Sequence, residues 1–458
     1  MAEIASGMFK AYDIRGIVGD TLTEDAALLI GKAIGSEALS RKQSRIAVGR
    51  DGRLSSPALS QALIDGICST GIHVTDIGRV PTPVVWFAAH HLETGCGVVI
   101  TGSHNPPEYN GIKIMLGGET LAGDAIQNLL KRVQSNHFVV GDGKVSQHDI
   151  RPAYLDRITS DVKLARRMSI VVDAGNGVAG ELAPVLFRRL DCRVRGLYCE
   201  IDGTFPNHHP DPAQPHNLED LARALKMTDA EIGLAFDGDA DRLGVVTKSG
   251  RIVYPDRLLM LFAADALSRQ SGGKIVYDVK STRLLTPWIK QHKGKPIMAR
   301  TGHSYMKAKM KESGALVGGE LSGHIFFNER WYGFDDGMYA GARLLEVLSQ
   351  VEDANALLDA LPEAVSTPEL HVPVTEGSPH ELVDRIRANA KFGDDADIST
   401  IDGIRVDYED GFGLIRASNT TPVLVLRFEG DDAKALKRIQ AVFRKILSKD
   451  MPGVTLPF

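Results

Sequence analysis

Apolar residues Leu28, Leu29, Ala33 and Ile34 recur at helical spacing behind a capping Thr23, so residues 23–40 are predicted as a helix. Residues 45–49 read as a short apolar strand that breaks into Arg50-Asp51-Gly52-Arg53. Ser56-Pro57 then starts a second helix, with Ser56 as its cap and Pro57 at the first helical position. Residues 73–77 and 97–101 are further strands, with 83–91 helical between them. This alternation predicts an α/β layer.

The plan recurs twice. Ile46-Ala47-Val48-Gly49-Arg50-Asp51-Gly52 is echoed by Ile170-Val171-Val172-Asp173-Ala174-Gly175-Asn176-Gly177 and by Ile275-Val276-Tyr277-Asp278-Val279-Lys280-Ser281-Thr282. Each is an apolar strand leading into a polar turn and a helix, and each is followed by a later strand carrying an unusual polar loop. Those loops lie at 102–105, 237–242 and 318–324. Three related units, each delivering one loop, predict a shared cleft built from strand ends. From about Glu363 the texture changes: strands are expected at 371–375, 404–408, 413–417 and 423–429, with helices at 379–390 and 432–447. The expected architecture is α/β: three related α/β domains (1–149, 150–251, 252–363) plus a smaller C-terminal α+β domain (364–458) around a central cleft.

Composition narrows the class. A chain of 458 residues, 43% hydrophobic and 24% charged, has core enough for several globular domains. The net charge of -5 supplies no basic surface, so neither nucleic acid nor a membrane is an expected partner. Cys68, Cys96, Cys192 and Cys199 show no CxxC pairing and read as reduced thiols. The N-terminus lacks a basic segment followed by an apolar one, and no run reaches the ~20 apolar residues of a membrane helix. A cytoplasmic, soluble protein is expected.

The sharpest chemical signal is Asp237-Gly238-Asp239-Ala240-Asp241-Arg242, placed between two apolar strands. Three carboxylates at alternate positions repel one another and are costly to desolvate unless a cation sits among them. Oxygen ligands suit a hard divalent ion such as Mg²⁺. An EF-hand is excluded, because Arg242 stands where its glycine belongs and Lys248 where its terminal glutamate belongs.

Residues 98–100 feed Thr101-Gly102-Ser103-His104-Asn105-Pro106-Pro107, whose prolines forbid a helix. Ser103 is therefore expected exposed at a strand end beside His104. Asn105-Pro106 breaks the hydrolase elbow pattern. A serine oxygen that carries a phosphoryl group near metal-holding aspartates is the coherent alternative to a plain turn residue. Gly318-Gly319-Glu320-Leu321-Ser322-Gly323-His324 offers hydrogen bonds to vicinal sugar hydroxyls, or is a polar connection. Arg416-Ala417-Ser418-Asn419-Thr420-Thr421-Pro422 reads as a phosphate or carboxylate cradle without a nucleotide-binding pattern. Tyr12 and Arg15, near the N-terminus, read equally as surface residues or ligands.

Taken together and in order, these motifs resemble the α-D-phosphohexomutase superfamily, specifically its bacterial phosphomannomutase/phosphoglucomutase branch, along the whole chain. The resemblance implies four domains around a deep cleft. It implies that Ser103 is a phosphoserine whose phosphate completes a Mg²⁺ site with Asp237, Asp239 and Asp241. Glu320 and Ser322 would hold the sugar 3- and 4-hydroxyls, with His324 on the same loop. Arg416, Ser418, Asn419 and Thr420, helped by Tyr12, would grip the distal phosphate. Arg15, Lys113, Arg242, Lys280 and His303 match other cleft contacts. Lys113, His104 and His303 remain open as proton-transfer groups. The implied reaction interconverts hexose 1-phosphate and 6-phosphate (mannose and glucose) through glucose or mannose 1,6-bisphosphate, in an enzyme expected to be monomeric. Leu321 departs from the residues usual at that loop position, which leaves phosphoglucosamine mutase as the rival within the class. A Mg²⁺-dependent phosphatase and a non-catalytic sugar-phosphate binder are the rivals outside it.

Overall fold

The computed structural model describes residues 4–374, 378–419 and 421–458. Its first three sheets share one connectivity. In the first, Arg45–Arg50 pairs in parallel with His73–Arg79 on one side and Gly97–Ile100 on the other, and Tyr109–Leu116 then runs antiparallel to Gly97–Ile100. In the second, Ser169–Asp173 lies parallel to Arg193–Leu197 and Ile232–Phe236, and Leu243–Thr247 returns antiparallel. In the third, Lys274–Asp278 lies parallel to Lys295–Ala299 and Val317–Gly319, and Ile325–Phe327 returns antiparallel. The repeat read in the sequence is thus a repeat of topology.

Each polar loop occupies the same place in this plan, joining the third strand of its unit to the antiparallel fourth. The third strands Gly97–Ile100, Ile232–Phe236 and Val317–Gly319 are buried at every position. Backbone emerging from so apolar a strand must turn sharply, and the turn residues are delivered to the same end of each sheet.

The fourth sheet is wholly antiparallel, with Val423–Gly430 between Gly411–Ala417 and the strands Val365–Ser366 and Leu370–Pro373. Helices Pro379–Asn389 and Ala433–Asp450 belong to this module. One continuous apolar cluster runs from Ala47 to Leu361 through the first three units, whereas the C-terminal module closes its own core around Ile404, Phe428 and Phe443.

Most expected elements form. Helix Glu24–Ser40 has Thr23 as its cap, the hydroxyl accepting from Ala26 N–H. The cap of the next helix differs from expectation: Ser55 holds that place, and Ser56 opens the helix with its hydroxyl donated to Asp51 at 2.5 Å. The strand expected at 371–375 is Leu370–Pro373, and Thr375 lies outside the described residues. All four cysteines are free. Among the described residues no helix is long and apolar enough to cross a membrane.

Candidate active site

The three loops and the C-terminal module meet at a cleft of about 750 Å³. The first unit contributes Tyr12, Arg15, Ser103, His104 and Lys113, and the second Arg242. The third contributes Lys280, His303, Glu320, Ser322 and His324, and the C-terminal module adds Thr421.

Behind Ser103, Lys113 and Arg242 of the cleft lining, Asp237, Asp239 and Asp241 are fully buried with carboxylate oxygens gathered within 4.8 Å of one another. Ser103 Oγ donates to Asp237 Oδ2 at 3.0 Å and lies 3.2 Å from His104 Nδ1. Contrary to the expectation of an exposed serine, Ser103 is only 2% accessible, because the aspartate loop packs directly over it. The packing is close: a Cβ on Gly238 would stand 2.3 Å from the Ser103 carbonyl oxygen, so only glycine lets the two loops meet. Lys113 Nζ bridges Asp239 at 2.7 Å and Asp241 at 2.6 Å.

Electrostatics follow from this crowding. Burial, with Asp241 and Asp239 adding to it, pushes Asp237 well above the usual carboxylate range. Burial acts the same way on Asp241, but Lys113 and His324 outweigh it and hold that carboxyl well below. Lys113 is raised, since its two aspartates overcome the cost of burial. Burial lowers His104 and His303 well below an ordinary imidazole. His324 goes the other way: burial is overcome by Asp241 and Glu320, and its pKa rises to about 9. Its Nε2 faces Asp241 at 3.2 Å and its Nδ1 faces Glu320 at 3.2 Å and Ser322 Oγ at 2.9 Å, so it ties the sugar-loop candidates to the aspartate cluster.

The acidic cluster fits a hard cation on its own chemistry. Its donors are all carboxylate oxygens, and Asp239 Oδ1 is buried with no hydrogen-bond partner among the described residues. A buried carboxylate oxygen left without a donor is costly unless a ligand completes it.

The remaining candidates divide. Arg242 lies against the cluster, its Nε 3.7 Å from Asp237 and 3.4 Å from His324 Nε2. Arg15 donates to Asp13 at 2.6 Å and Asn105 at 2.9 Å. His303 stacks on His324 with ring centroids 5.7 Å apart. Lys280 pairs with Glu369 at 2.5 Å. Arg416 is turned onto Asp402 at 3.0 Å, with Nη2 buried and unpartnered among the described residues. Asn419 donates to the Tyr12 hydroxyl, which donates in turn to the Thr301 carbonyl, so the C-terminal loop touches the first unit. Ser418 exchanges a hydrogen bond with Thr421, and Thr420 lies outside the described residues. Leu321 is buried and does not line the cleft, its N–H directed at Asp278.

Family models for the phosphoglucomutase/phosphomannomutase α/β/α domains I, II and III match residues 6–139, 152–250 and 254–365, and the model for the C-terminal domain matches 369–446. The chain belongs to the phosphoglucomutase/phosphomannomutase family. It is 58% identical to the phosphoglucomutase of Neisseria meningitidis serogroup A, with all of both chains covered. To the phosphomannomutase/phosphoglucomutase of Pseudomonas aeruginosa PAO1 it is 54% identical over 99% of this chain and 98% of that one. A crystal structure of a phosphoglucomutase/phosphomannomutase family protein from Burkholderia thailandensis superposes with a TM-score of 0.95 at 54% identity, covering both chains completely.

Several residues of this phosphoglucomutase/phosphomannomutase site gave no clear sequence signal. Thr82, at a helix start, donates to Asp239 Oδ2 at 2.6 Å and fixes that carboxylate from behind. Glu369 is held at about 2 because Lys280 outweighs its burial. Asp51 and Arg53 brace the serine loop; their Asp-Gly-Arg turn after an apolar strand was the one available cue.

Proposed function

We propose that this protein is a phosphohexomutase that interconverts the 1- and 6-phosphates of mannose and glucose through phospho-Ser103 and a 1,6-bisphosphosugar. The observation that carries the reading is Ser103 Oγ at 3.0 Å from Asp237, in a cleft also lined by Glu320, Ser322 and His324. The relatives named phosphomannomutase/phosphoglucomutase supply the substrate class. Asp237, Asp239, Asp241 and the Ser103 phosphate would hold Mg²⁺, with Thr82 orienting Asp239. Bound there, Mg²⁺ offsets charge on the phosphoryl group and on the departing serine oxygen.

In the forward half-reaction a sugar hydroxyl oxygen forms a bond to phosphorus as the bond from phosphorus to Ser103 Oγ breaks. The hydroxyl proton goes to a neutral imidazole, a role that burial suits His104 and His303 to play. Lys113, one of the open proton-transfer candidates, is held as an ammonium by Asp239 and Asp241 and supplies positive charge beside Ser103's loop. Glu320 and Ser322 hold the 3,4-diol, flanked by His324. Arg416, Ser418, Asn419, Thr420 and Tyr12 grip the far phosphate, while Arg15, Arg242 and Lys280 balance a multiply charged intermediate as it turns over. The domains assigned are 1–149, 150–251, 252–363 and 364–458, in a monomer that needs no nucleic acid or membrane partner.

Coupled assays with mannose, glucose and glucosamine 1-phosphates test the reading. Mannose and glucose are expected within about an order of magnitude of each other in kcat/KM, equivalent to ~1.4 kcal/mol, because the diol loop reads C3 and C4 and leaves C2 free. Preference for the amino sugar would make the protein a phosphoglucosamine mutase, and net release of inorganic phosphate would make it a phosphatase. Ser103→Ala is expected to abolish turnover in a folded protein.

A further inference from the structure

The loop that carries Ser103 is gripped from the side away from the cleft by a single guanidinium. Arg53, 2% exposed, donates from Nη1 to the carbonyls of Pro106 at 2.6 Å and Tyr109 at 3.0 Å. From Nη2 it donates to those of Ser103 at 2.8 Å and Asn105 at 2.5 Å. Asp51 completes the brace. Its Oδ2 accepts the Gly102 N–H at 3.0 Å and lies 3.3 Å from Arg53 Nε. Its Oδ1 accepts from Ser56 and from the Arg53 N–H. The Phe205 ring, from the second unit, covers the guanidinium with its centroid 5.0 Å from Cζ. A Cβ on Gly102 would stand 2.3 Å from Arg53 Nε, so glycine lets the guanidinium lie flat against the loop backbone.

This loop needs such a grip. Ser103 has φ at +49°, a left-handed backbone that a serine adopts only under constraint. Pro106 and Pro107 bring no N–H, so the carbonyls of residues 103–109 converge without backbone donors to answer all of them. A planar cation with donors spread across one fork answers four at once, which an ammonium cannot do.

We propose that Arg53, backed by Asp51 and Phe205, is the positioning residue that holds Ser103 in its left-handed backbone and fixes Oγ at the aspartate cluster. The inference rests on the reading of Ser103 as the phosphoryl carrier. Arg53 does not line the substrate cleft; with Asp51, Leu54 and Pro57 it lines a separate cavity of about 690 Å³. Its loss therefore slows phosphoryl transfer while the hold on sugar and distal phosphate stays intact.

The test follows the rate at which glucose 1,6-bisphosphate charges Ser103, by quenched intact mass, alongside kcat and KM. For Arg53→Met the charging rate and kcat are expected to fall about 100-fold, as for a reacting atom misplaced by about an ångström. KM should stay within about threefold, since binding contacts are untouched. Arg53→Lys should be nearly as slow, and millimolar guanidinium should restore part of the rate in Arg53→Ala. If the Arg53 variants do not fold, Phe205→Leu, which removes only the ring over the guanidinium, should still lower kcat by roughly tenfold at unchanged KM. A folded Arg53→Met that charges Ser103 at the wild-type rate overturns the proposal, as does a Phe205→Leu with unaltered kcat in the absence of folded Arg53 variants. A wild-type protein that never gains phosphate on Ser103 overturns the carrier reading instead.

Discussion

Among the described residues, Lys113 is the only ammonium in contact with the Asp237–Asp239–Asp241 cluster, and replacing it with methionine tests what holds the cluster together. Lys113 Nζ lies 2.7 and 2.6 Å from two carboxylates, with the three side chains 4%, 0% and 0% exposed. At an effective dielectric of ~20, each contact is worth about 6 kcal/mol before desolvation is subtracted. Removing one partner of a buried pair costs about 3–5 kcal/mol, because the charge left behind has neither water nor a counterion. Asp237 is already pushed well above the carboxylate range, and Arg242 and His324, the other cations against the cluster, already face Asp237 and Asp241. In EDTA, Lys113→Met is expected to melt roughly 3–7 °C below wild type. Saturating Mg²⁺ should recover most of that difference, so the Mg²⁺-induced rise in melting temperature is larger in the variant than in wild type. Differential scanning calorimetry of both proteins in both buffers measures this directly. Equal melting in EDTA, or an equal Mg²⁺ response, would refute the view that ammonium and cation share one cluster of carboxylates.

Further outcomes follow from the same physics. Thr82→Val, which removes the 2.6 Å bond that orients Asp239, should raise the Mg²⁺ concentration for half-maximal activity about 10–100-fold, as read from an activation curve. A chain ending at Glu363 keeps the continuous core of the first three units and should remain folded by circular dichroism, yet lose nearly all turnover along with the Arg416 loop. Asp336, which caps helix Gly337–Leu348, is raised to about 7 by burial. The native state therefore binds a proton that the unfolded chain releases near pH 4, and stability from this group falls as pH climbs from about 4 through 7. Asp336→Asn keeps the cap without the titration, so its stability relative to wild type should improve between pH 5 and pH 8 by about 3 kcal/mol, read as a rise in relative melting temperature. A difference independent of pH would count against that assignment.

Much of this site was legible because its chemistry sits in short contiguous loops. The Asp237–Asp241 spacing, the prolines after Ser103 and the change from strand to polar turn are all local signals, and the repeat placed the loops at equivalent strand ends. Contacts made across units were not legible. Lys280 and Glu369 lie far apart in sequence and meet only because the C-terminal module docks there, where Arg405 also donates to the carbonyls of Val279 and Ser281. The burial of Ser103 was missed for the same reason: its cover is the Gly238 backbone, from another unit. Leu321 shows the limit of reading a loop one residue at a time. Its neighbours Glu320 and Ser322 line the cleft, whereas Leu321 is buried with its N–H directed at Asp278.

The most direct measurement of the central claim is the intact mass and peptide map of the protein before and after incubation with glucose 1,6-bisphosphate and Mg²⁺. A mutase of this kind gains one phosphoryl group, located on Ser103, and gives it up when glucose 6-phosphate or mannose 6-phosphate is added. Full mutase turnover with no phosphate ever found on Ser103, or with phosphate on another residue, would contradict the account.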